Sequence, residues 1–141
     1  MTPDQIRLVQ TSFSQLAPDA DKVAALFYHR LFSQVPSLRP LFKNDMPEQG
    51  RKLMNMLAMI VRSLSAPGGL VPVLSEMGRR HHGYGVEDWH YGVVGDALLW
   101  TLGSRLGERF TPDIAAAWGE AFRLLSGCMI EGARRGASAA A

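Results

Sequence analysis

The sequence has a single cysteine and no long apolar run. Cys128 stands alone among 141 residues, so the chain can form no internal disulfide, and no second thiolate is available for a zinc site. A membrane-spanning helix needs roughly 20 consecutive apolar residues, and polar residues interrupt every apolar stretch before that length. The N-terminal residues TPDQIRLVQ also lack the basic and then apolar layout of a secretory leader. We therefore expect a cytoplasmic protein with no membrane partner.

The chain also lacks an excess of charge of either sign. Fifteen basic and thirteen acidic residues leave a formal net charge of +2, without the dense basic stripe that a phosphate backbone attracts. Nucleic acid is therefore not an expected partner. Since 47% of the residues are apolar and 20% are charged, disorder is excluded as well. We expect one domain over residues 1–135, with 136–141 as a disordered tail.

Apolar residues recur at helical spacing along the whole chain, and no segment shows the period-2 alternation of a strand. Helix starts are marked by capping residues followed by proline, as in Thr2-Pro3 and Thr111-Pro112. The pattern predicts an all-α fold. Its helical segments are expected at about 2–17, 18–35, 45–66, 70–82, 87–106 and 111–135, with a short helical turn and corner ending at Phe42. The tryptophans, at helix starts and on apolar faces, are interpreted as packing anchors: Trp89, Trp100 and Trp118.

Two adjacent histidines occur in the stretch GRRHHGYG, residues 78–85. Adjacent residues on a helix point about 100° apart, so both cannot face one pocket. His81 follows Met77 by four residues and Leu74 by seven, which continues the apolar stripe. His82 lies instead on the side of Ser75 and Arg79. We therefore predict that His81 faces inward and that His82 is solvated.

One inward histidine has two interpretations at this stage. It can be a core imidazole satisfied by a carbonyl group, or it can bind a metal. No second histidine, cysteine or carboxylate lies at the helical spacing of a zinc or di-iron site. A single histidine is enough for haem iron, because the porphyrin supplies four ligands. Metal binding by His81 therefore points to haem.

A haem pocket would need polar residues on the far side from the histidine. Tyr28 lies on an apolar face beside small Ala24, and Gln49 heads the stripe that continues with Leu53. Both side chains can donate hydrogen bonds to a bound ligand. Each also has a simpler interpretation, namely a tyrosine whose hydroxyl reaches the surface and a glutamine that caps a helix.

Several stretches, taken together, resemble a bacterial single-domain globin of the flavohaemoglobin-related group. They are FYHRLF, PSLRPLF, DMPEQGRKLM, GRRHHGYGV, HYGVVGDALL and AAWGEAF. The resemblance spans nearly the whole chain. Tyr28 after Phe27, Gln49 four before Leu53, and His81 ten before Tyr91 are at the family's spacings.

The resemblance implies a globin fold of about seven to eight helices that enclose haem b, with 1–135 as the haem-binding domain. It implies that His81 is the proximal iron ligand, that Phe42 packs on the haem face and that Leu53 shapes the distal pocket. Tyr28 and Gln49 would contact the bound ligand. Tyr91 would support the proximal side.

Two departures from the related group affect the expected chemistry. The chain is 141 residues long, so we expect no flavin- and nicotinamide-binding domains and no electron source of its own. The proximal glutamate of the last globin helix corresponds to Ala133 here, and Glu131 is about 200° around the helix from that position. A peroxidase-like, strongly electron-donating proximal histidine is therefore not expected.

We accordingly expect a haem globin that reversibly binds dioxygen, with carbon monoxide and nitric oxide as further ligands. The alternative is an enzyme, a nitric oxide dioxygenase that relies on a separate reductase. A globin-fold sensor or adaptor without haem is disfavoured, because it would not need His81, Tyr28 and Gln49 together.

Overall fold

The computed structural model describes the backbone of residues 1–140 and the side chains of residues 1–136. Over this range the chain forms six α-helices, three short 3₁₀ segments and no strand. The helices are α1 (Pro3–Leu16), α2 (Ala20–Gln34), α3 (Met46–Ser63), α4 (Pro67–Gly83), α5 (Asp88–Leu106) and α6 (Pro112–Ala140). The 3₁₀ segments are Ala17–Asp19, Pro36–Leu41 and Gly107–Arg109. None of the described helices has the length and apolar character required to cross a membrane.

The all-α prediction is confirmed, although the expected number of about seven to eight helices was slightly too high. The chain between α2 and α3 forms the 3₁₀ segment Pro36–Leu41 in place of a further α-helix. Pro40 lies inside this segment and has no backbone N–H to donate, so a regular α-helical ladder is disfavoured there.

Capping residues fix the helix starts where the sequence predicts them. The Thr2 hydroxyl accepts a hydrogen bond from the Gln5 backbone N–H, and the Gln5 side chain accepts one from the Thr2 N–H. Asp45 caps α3 in the same way, because its carboxylate accepts a hydrogen bond from the Glu48 N–H at 2.9 Å. Each cap satisfies a backbone donor that has no partner inside the helix.

Three helix bounds differ from the predicted ones by three residues or more, and the first is the end of α3, which lies at Ser63 instead of about residue 66. α4 begins at Pro67, three residues before the predicted start, because proline fits the first turn of a helix without needing an N–H. α6 continues to Ala140, beyond the predicted end at Arg135, through a run of alanine and other small residues that includes good helix formers. The last residue of the predicted tail, Ala141, lies outside the described residues.

The helices pack around one apolar core, in which α4 lies mainly against α6 and α2 lies between α3 and α5. The α2–α3 crossing is close. A methyl group placed on Gly50 of α3 would be 3.0 Å from the Cβ of Ala24 on α2. This closeness brings the first turns of α3 against the middle of α2, where Tyr28 is located.

Candidate functional site

Tyr28 and Gln49 form a direct polar contact at the crossing of α2 and α3. Tyr28 is only 5% exposed, and its hydroxyl oxygen accepts a hydrogen bond from Gln49 Nε2 at 3.2 Å. Gln49 is in the first turn of α3, next to Gly50, so the close helix crossing sets its distance from Tyr28. The two residues that the sequence assigned to one side of a pocket therefore lie together.

The Tyr28 hydroxyl keeps its own hydrogen in this arrangement. Burial raises the pKa of Tyr28 above its ordinary value, and the hydrogen bond from Gln49 opposes that rise only in part. The phenol is therefore neutral near pH 7. Among the described side chains, none accepts a hydrogen bond from this hydroxyl. Tyr28 consequently combines a satisfied acceptor with a free donor.

An aromatic wall surrounds Tyr28. The ring of Phe42 meets that of Tyr28 edge to face, with centroids 5.3 Å apart, and Phe32 stacks on Tyr28 at 5.8 Å. Phe32 and Phe42 are themselves in contact at 5.4 Å. Phe42 and Leu53 are both half-buried, so each retains exposed apolar surface beside the Tyr28 and Gln49 pair. Such surface suits a flat, apolar ligand.

His81 lies in the last turn of α4 and is half-buried, whereas its neighbour His82 is exposed. The Met77 carbonyl oxygen is 2.7 Å from His81 Nδ1. Because a carbonyl can only accept, Nδ1 carries the hydrogen, and Nε2 holds the free lone pair of the neutral ring. Burial lowers the pKa of His81, which also favours the neutral ring. This imidazole is in the protonation state and tautomer that metal coordination through Nε2 requires.

Two glycines allow α4 and α6 to touch through their backbones. A methyl group on Gly78 would overlap the carbonyl group of Met129, and one on Gly132 would overlap the carbonyl group of Ser75. Gly78 is three residues before His81, so this contact fixes the helix turn that carries the histidine. The sequence interpretation did not identify this crossing. Glycines at 132 and 136, on the same face of α6, were the available indication.

Tyr91 lies on α5, beside a cleft that faces α6. Its ring is buried and borders a cleft of about 320 Å³ between α5 and α6, together with Asp88, Gly95 and Phe122. Burial, and to a lesser extent the charge of Asp88, raises the pKa of Tyr91. Within the described part of the chain, no hydrogen bond joins Tyr91 to His81, so its support of the proximal side remains a prediction.

Among the side chains that the structure describes, no acidic residue of α6 forms a hydrogen bond or ion pair with His81. Ala133 is buried, whereas Glu131 is exposed and pairs with Arg135 at 3.3 Å. The predicted outward orientation of Glu131 is therefore found. His81 Nδ1–H donates a hydrogen bond to a neutral carbonyl group. A carbonyl is a weaker acceptor than a carboxylate, so it makes the imidazole less electron-rich than a carboxylate would.

One polar residue beside Tyr28 and Gln49 was missed from the sequence. Asn44 donates a hydrogen bond from Nδ2 to Gln49 Oε1 at 3.2 Å. Asparagine before a helix cap is common and carries no pattern of its own, so nothing in the sequence marked it. Over the residues that the structure covers, no cluster of three or more histidine, cysteine, aspartate or glutamate side chains could hold a metal ion.

Comparison with known proteins identifies the family of the fold. A family model described as Globin matches residues 25–129. A flavohemoprotein of Bacillus subtilis is 27% identical over 128 residues, which cover 89% of this chain and 32% of that protein. A flavohemoprotein of Chromobacterium violaceum is 32% identical over 135 residues, covering 92% of this chain and 33% of that protein. The chain thus spans about a third of the length of these relatives.

A solved structure has the same fold. It is an engineered carbene transferase made from a Rhodothermus marinus protein that is described as a candidate nitric oxide dioxygenase. Its TM-score is 0.83 at 27% identity, and the match covers 99% of this chain and 96% of the other.

Proposed function

The chain belongs to the globin family, and we propose that it binds haem b through His81 and reversibly binds dioxygen at the ferrous iron. The observation that carries this proposal is the Gln49 to Tyr28 hydrogen bond of 3.2 Å. It occupies the Tyr28 oxygen as an acceptor and leaves the Tyr28 O–H to donate. A buried donor of this kind needs a partner, and a bound diatomic ligand that carries partial negative charge provides one.

The residues fit haem on the proximal side. His81 is a neutral imidazole whose Nδ1 hydrogen is bonded to the Met77 carbonyl, and Nε2 has no hydrogen-bond partner among the described residues. A haem protein needs only one such nitrogen from the chain. Flavohemoprotein and globin relatives support the same cofactor.

The residues also fit on the distal side. Phe42 and Leu53 are half-buried apolar side chains next to the polar pair, as expected of surfaces that pack on a porphyrin face and around a small ligand. Haem, held by these residues, would supply an iron that binds the diatomic ligand. Tyr28 would donate a hydrogen bond to that ligand, and Gln49 would hold the Tyr28 oxygen in place. Dioxygen gains more from such a donor than carbon monoxide does, because bound dioxygen is the more polar ligand.

A second function is favoured by the relatives. The Rhodothermus marinus protein described as a candidate nitric oxide dioxygenase favours a nitric oxide dioxygenase activity, which in this chain would depend on a separate reductase. The same distal donor serves this reaction, because it needs a firmly held dioxygen. Dioxygen binding ranks first, because it requires only this chain and haem, whereas the second function also requires a reductase.

Absorption spectra of the purified protein test the proposal. After supplementation with haem, we expect a Soret band in the ferric form, its shift on reduction, and a further shift with carbon monoxide. A protein that takes up no haem would overturn both functions together. A ferrous spectrum in which carbon monoxide cannot displace the sixth ligand of the iron would contradict ligand binding. Haem binding would still stand.

A further inference from the structure

We propose that Asn44 is a positioning residue that fixes the orientation of the Gln49 amide, so that the chain of hydrogen bonds Asn44 to Gln49 to Tyr28 ends in a donor aimed at the ligand. This inference rests on the proposed function. It adds a third residue to the distal side, one that does not touch the ligand itself.

The direction of these hydrogen bonds depends on which end of the Gln49 amide faces Tyr28. With Asn44 Nδ2 donating to Gln49 Oε1 at 3.2 Å, the Gln49 nitrogen is left to face Tyr28 and donates to it, also at 3.2 Å. The opposite orientation would present Gln49 Oε1 to Tyr28. The Tyr28 hydrogen would then be used inside the protein, and a lone pair would face the ligand instead.

Asn44 lies beside the start of α3, facing the Gln49 amide. It directly precedes Asp45, the residue that caps α3 through its carboxylate and whose carbonyl oxygen accepts the Gln49 backbone N–H at 2.9 Å. Both ends of the Asn44 to Gln49 contact therefore belong to one capped helix start. Asn44 is also only partly exposed, which limits exchange of its hydrogen bond with water.

Asn44→Asp tests the direction of the hydrogen bonds that link residue 44, Gln49 and Tyr28. A carboxylate can only accept, so Gln49 should turn its nitrogen towards residue 44 and its oxygen towards Tyr28. The added negative charge lies at the start of a helix, where it is favourable, so the variant should fold. We expect dioxygen dissociation to become about two- to tenfold faster, as for the loss of one hydrogen bond worth about 0.5–1.5 kcal/mol.

The carbon monoxide complex gives a readout that does not depend on activity. A donor next to the ligand oxygen lowers the C–O stretching frequency, so Asn44→Asp should raise it towards the value of Tyr28→Phe. Asn44→Ala leaves the amide without a fixed orientation and should give two bands. Lys43→Ala, at the exposed neighbouring position, is the matched control and should leave both the band and the dissociation rate unchanged.

A double-mutant cycle separates positioning from a direct effect of the new charge. In the Tyr28→Phe background, Asn44→Asp should have little further effect, because the group through which it acts is gone. An equal shift with and without Tyr28 would overturn the inference. So would a wild-type band and rate in Asn44→Asp when Tyr28→Phe changes both, and in that case the proposed function would still stand. If Tyr28→Phe itself changed neither, the proposed role of Tyr28 would fail first.

Discussion

Gly78 of α4 lies directly against the carbonyl group of Met129 on α6, at a distance that leaves no room for a Cβ atom. A second contact of the same kind joins Gly132 to the carbonyl group of Ser75. The two helices therefore meet through their backbones over at least one turn on each side. His81 is one turn beyond Gly78, so this crossing determines where the imidazole is presented.

Alanine at either contact should destabilise the protein. Gly78→Ala or Gly132→Ala forces α4 and α6 apart, and overpacking of this kind costs about 1–3 kcal/mol. Urea unfolding of the haem-free and haem-loaded forms would measure the loss of stability. Gly127→Ala is the matched control, because nothing lies within 4 Å of the added methyl group; it should stabilise α6 by about 0.5–1 kcal/mol. Equal effects at Gly127 and Gly132 would contradict the close crossing.

Haem retention should depend on His81 and hardly at all on His82. His81→Ala removes the imidazole nitrogen proposed to bind iron, and we expect most haem to be lost during purification. His82→Ala changes an exposed side chain and should leave the haem content near that of the parent protein. The ratio of Soret to protein absorbance measures both variants, and the reverse result would reject the assignment.

Chemical rescue gives an independent check of the same ligand. His81→Gly leaves a gap that imidazole added to the buffer can enter, so the ferrous carbonyl spectrum should return with rising imidazole concentration. A spectrum that stays altered at saturating imidazole would indicate that His81 supports the fold and does not bind iron.

Tyr28→Phe should speed dioxygen loss much more than carbon monoxide loss. The change removes one hydroxyl group and little volume, and the lost bond is worth about 0.5–1.5 kcal/mol, or more when its acceptor carries charge. At least a several-fold increase in the dioxygen dissociation rate is expected, measured by ligand replacement in stopped flow. Equal acceleration of both ligands would point to easier physical access.

The dioxygen dissociation rate should be nearly constant between pH 7 and about pH 10. Burial raises the pKa of Tyr28 above its ordinary value, which is about 10 for an unperturbed tyrosine. The phenol therefore keeps its hydrogen, and its role as a donor, up to a higher pH than an exposed tyrosine would. The donor is lost only as pH rises through the raised pKa. An acceleration with a midpoint below pH 10 that disappears in Tyr28→Phe would contradict this ordering.

Local features of the chain could be predicted from the sequence because they depend on neighbours in the sequence. The Thr2 cap and the proline at the start of α6 follow from the residue types that begin helices, and the opposite exposures of His81 and His82 follow from helical spacing. The same spacing placed Glu131 away from His81, and the structure agrees, with Glu131 exposed.

Features that depend on how helices cross could not be predicted in this way. The hydrogen bonds from Asn44 to Gln49 and from Gln49 to Tyr28 form only if α2 and α3 bring their side chains within hydrogen-bonding distance. The Gly78 contact forms only with one alignment of α4 along α6. The tryptophans show the same limit. Trp118 is buried at 3%, as a packing anchor should be, but Trp89 and Trp100 are 51% and 41% exposed. The interpretation as core anchors is wrong for these two, which lie at the surface and have polar neighbours: the Arg30 guanidinium lies 4.5 Å from the centre of the Trp100 ring, and the centre of the His90 ring is 4.1 Å from that of Trp89.

The last prediction concerns reaction with nitric oxide. The dioxygen-loaded 141-residue chain should convert one equivalent of nitric oxide to nitrate, leave ferric haem, and then stop. Each further cycle needs an electron at the iron, and residues 1–140 form no strand from which a nicotinamide-binding sheet could be built. A nicotinamide cofactor alone should therefore not restart nitrate production, whereas adding a flavin reductase that reduces the ferric haem should. Tyr28→Phe should make the restarted reaction less efficient at low dioxygen, because the donor that retains dioxygen is gone.

Sustained turnover with nicotinamide cofactor alone, in protein free of contaminating reductase, would contradict the need for a separate electron donor. Failure to restart when the haem is demonstrably reduced would instead remove the dioxygenase alternative and leave reversible dioxygen binding as the function.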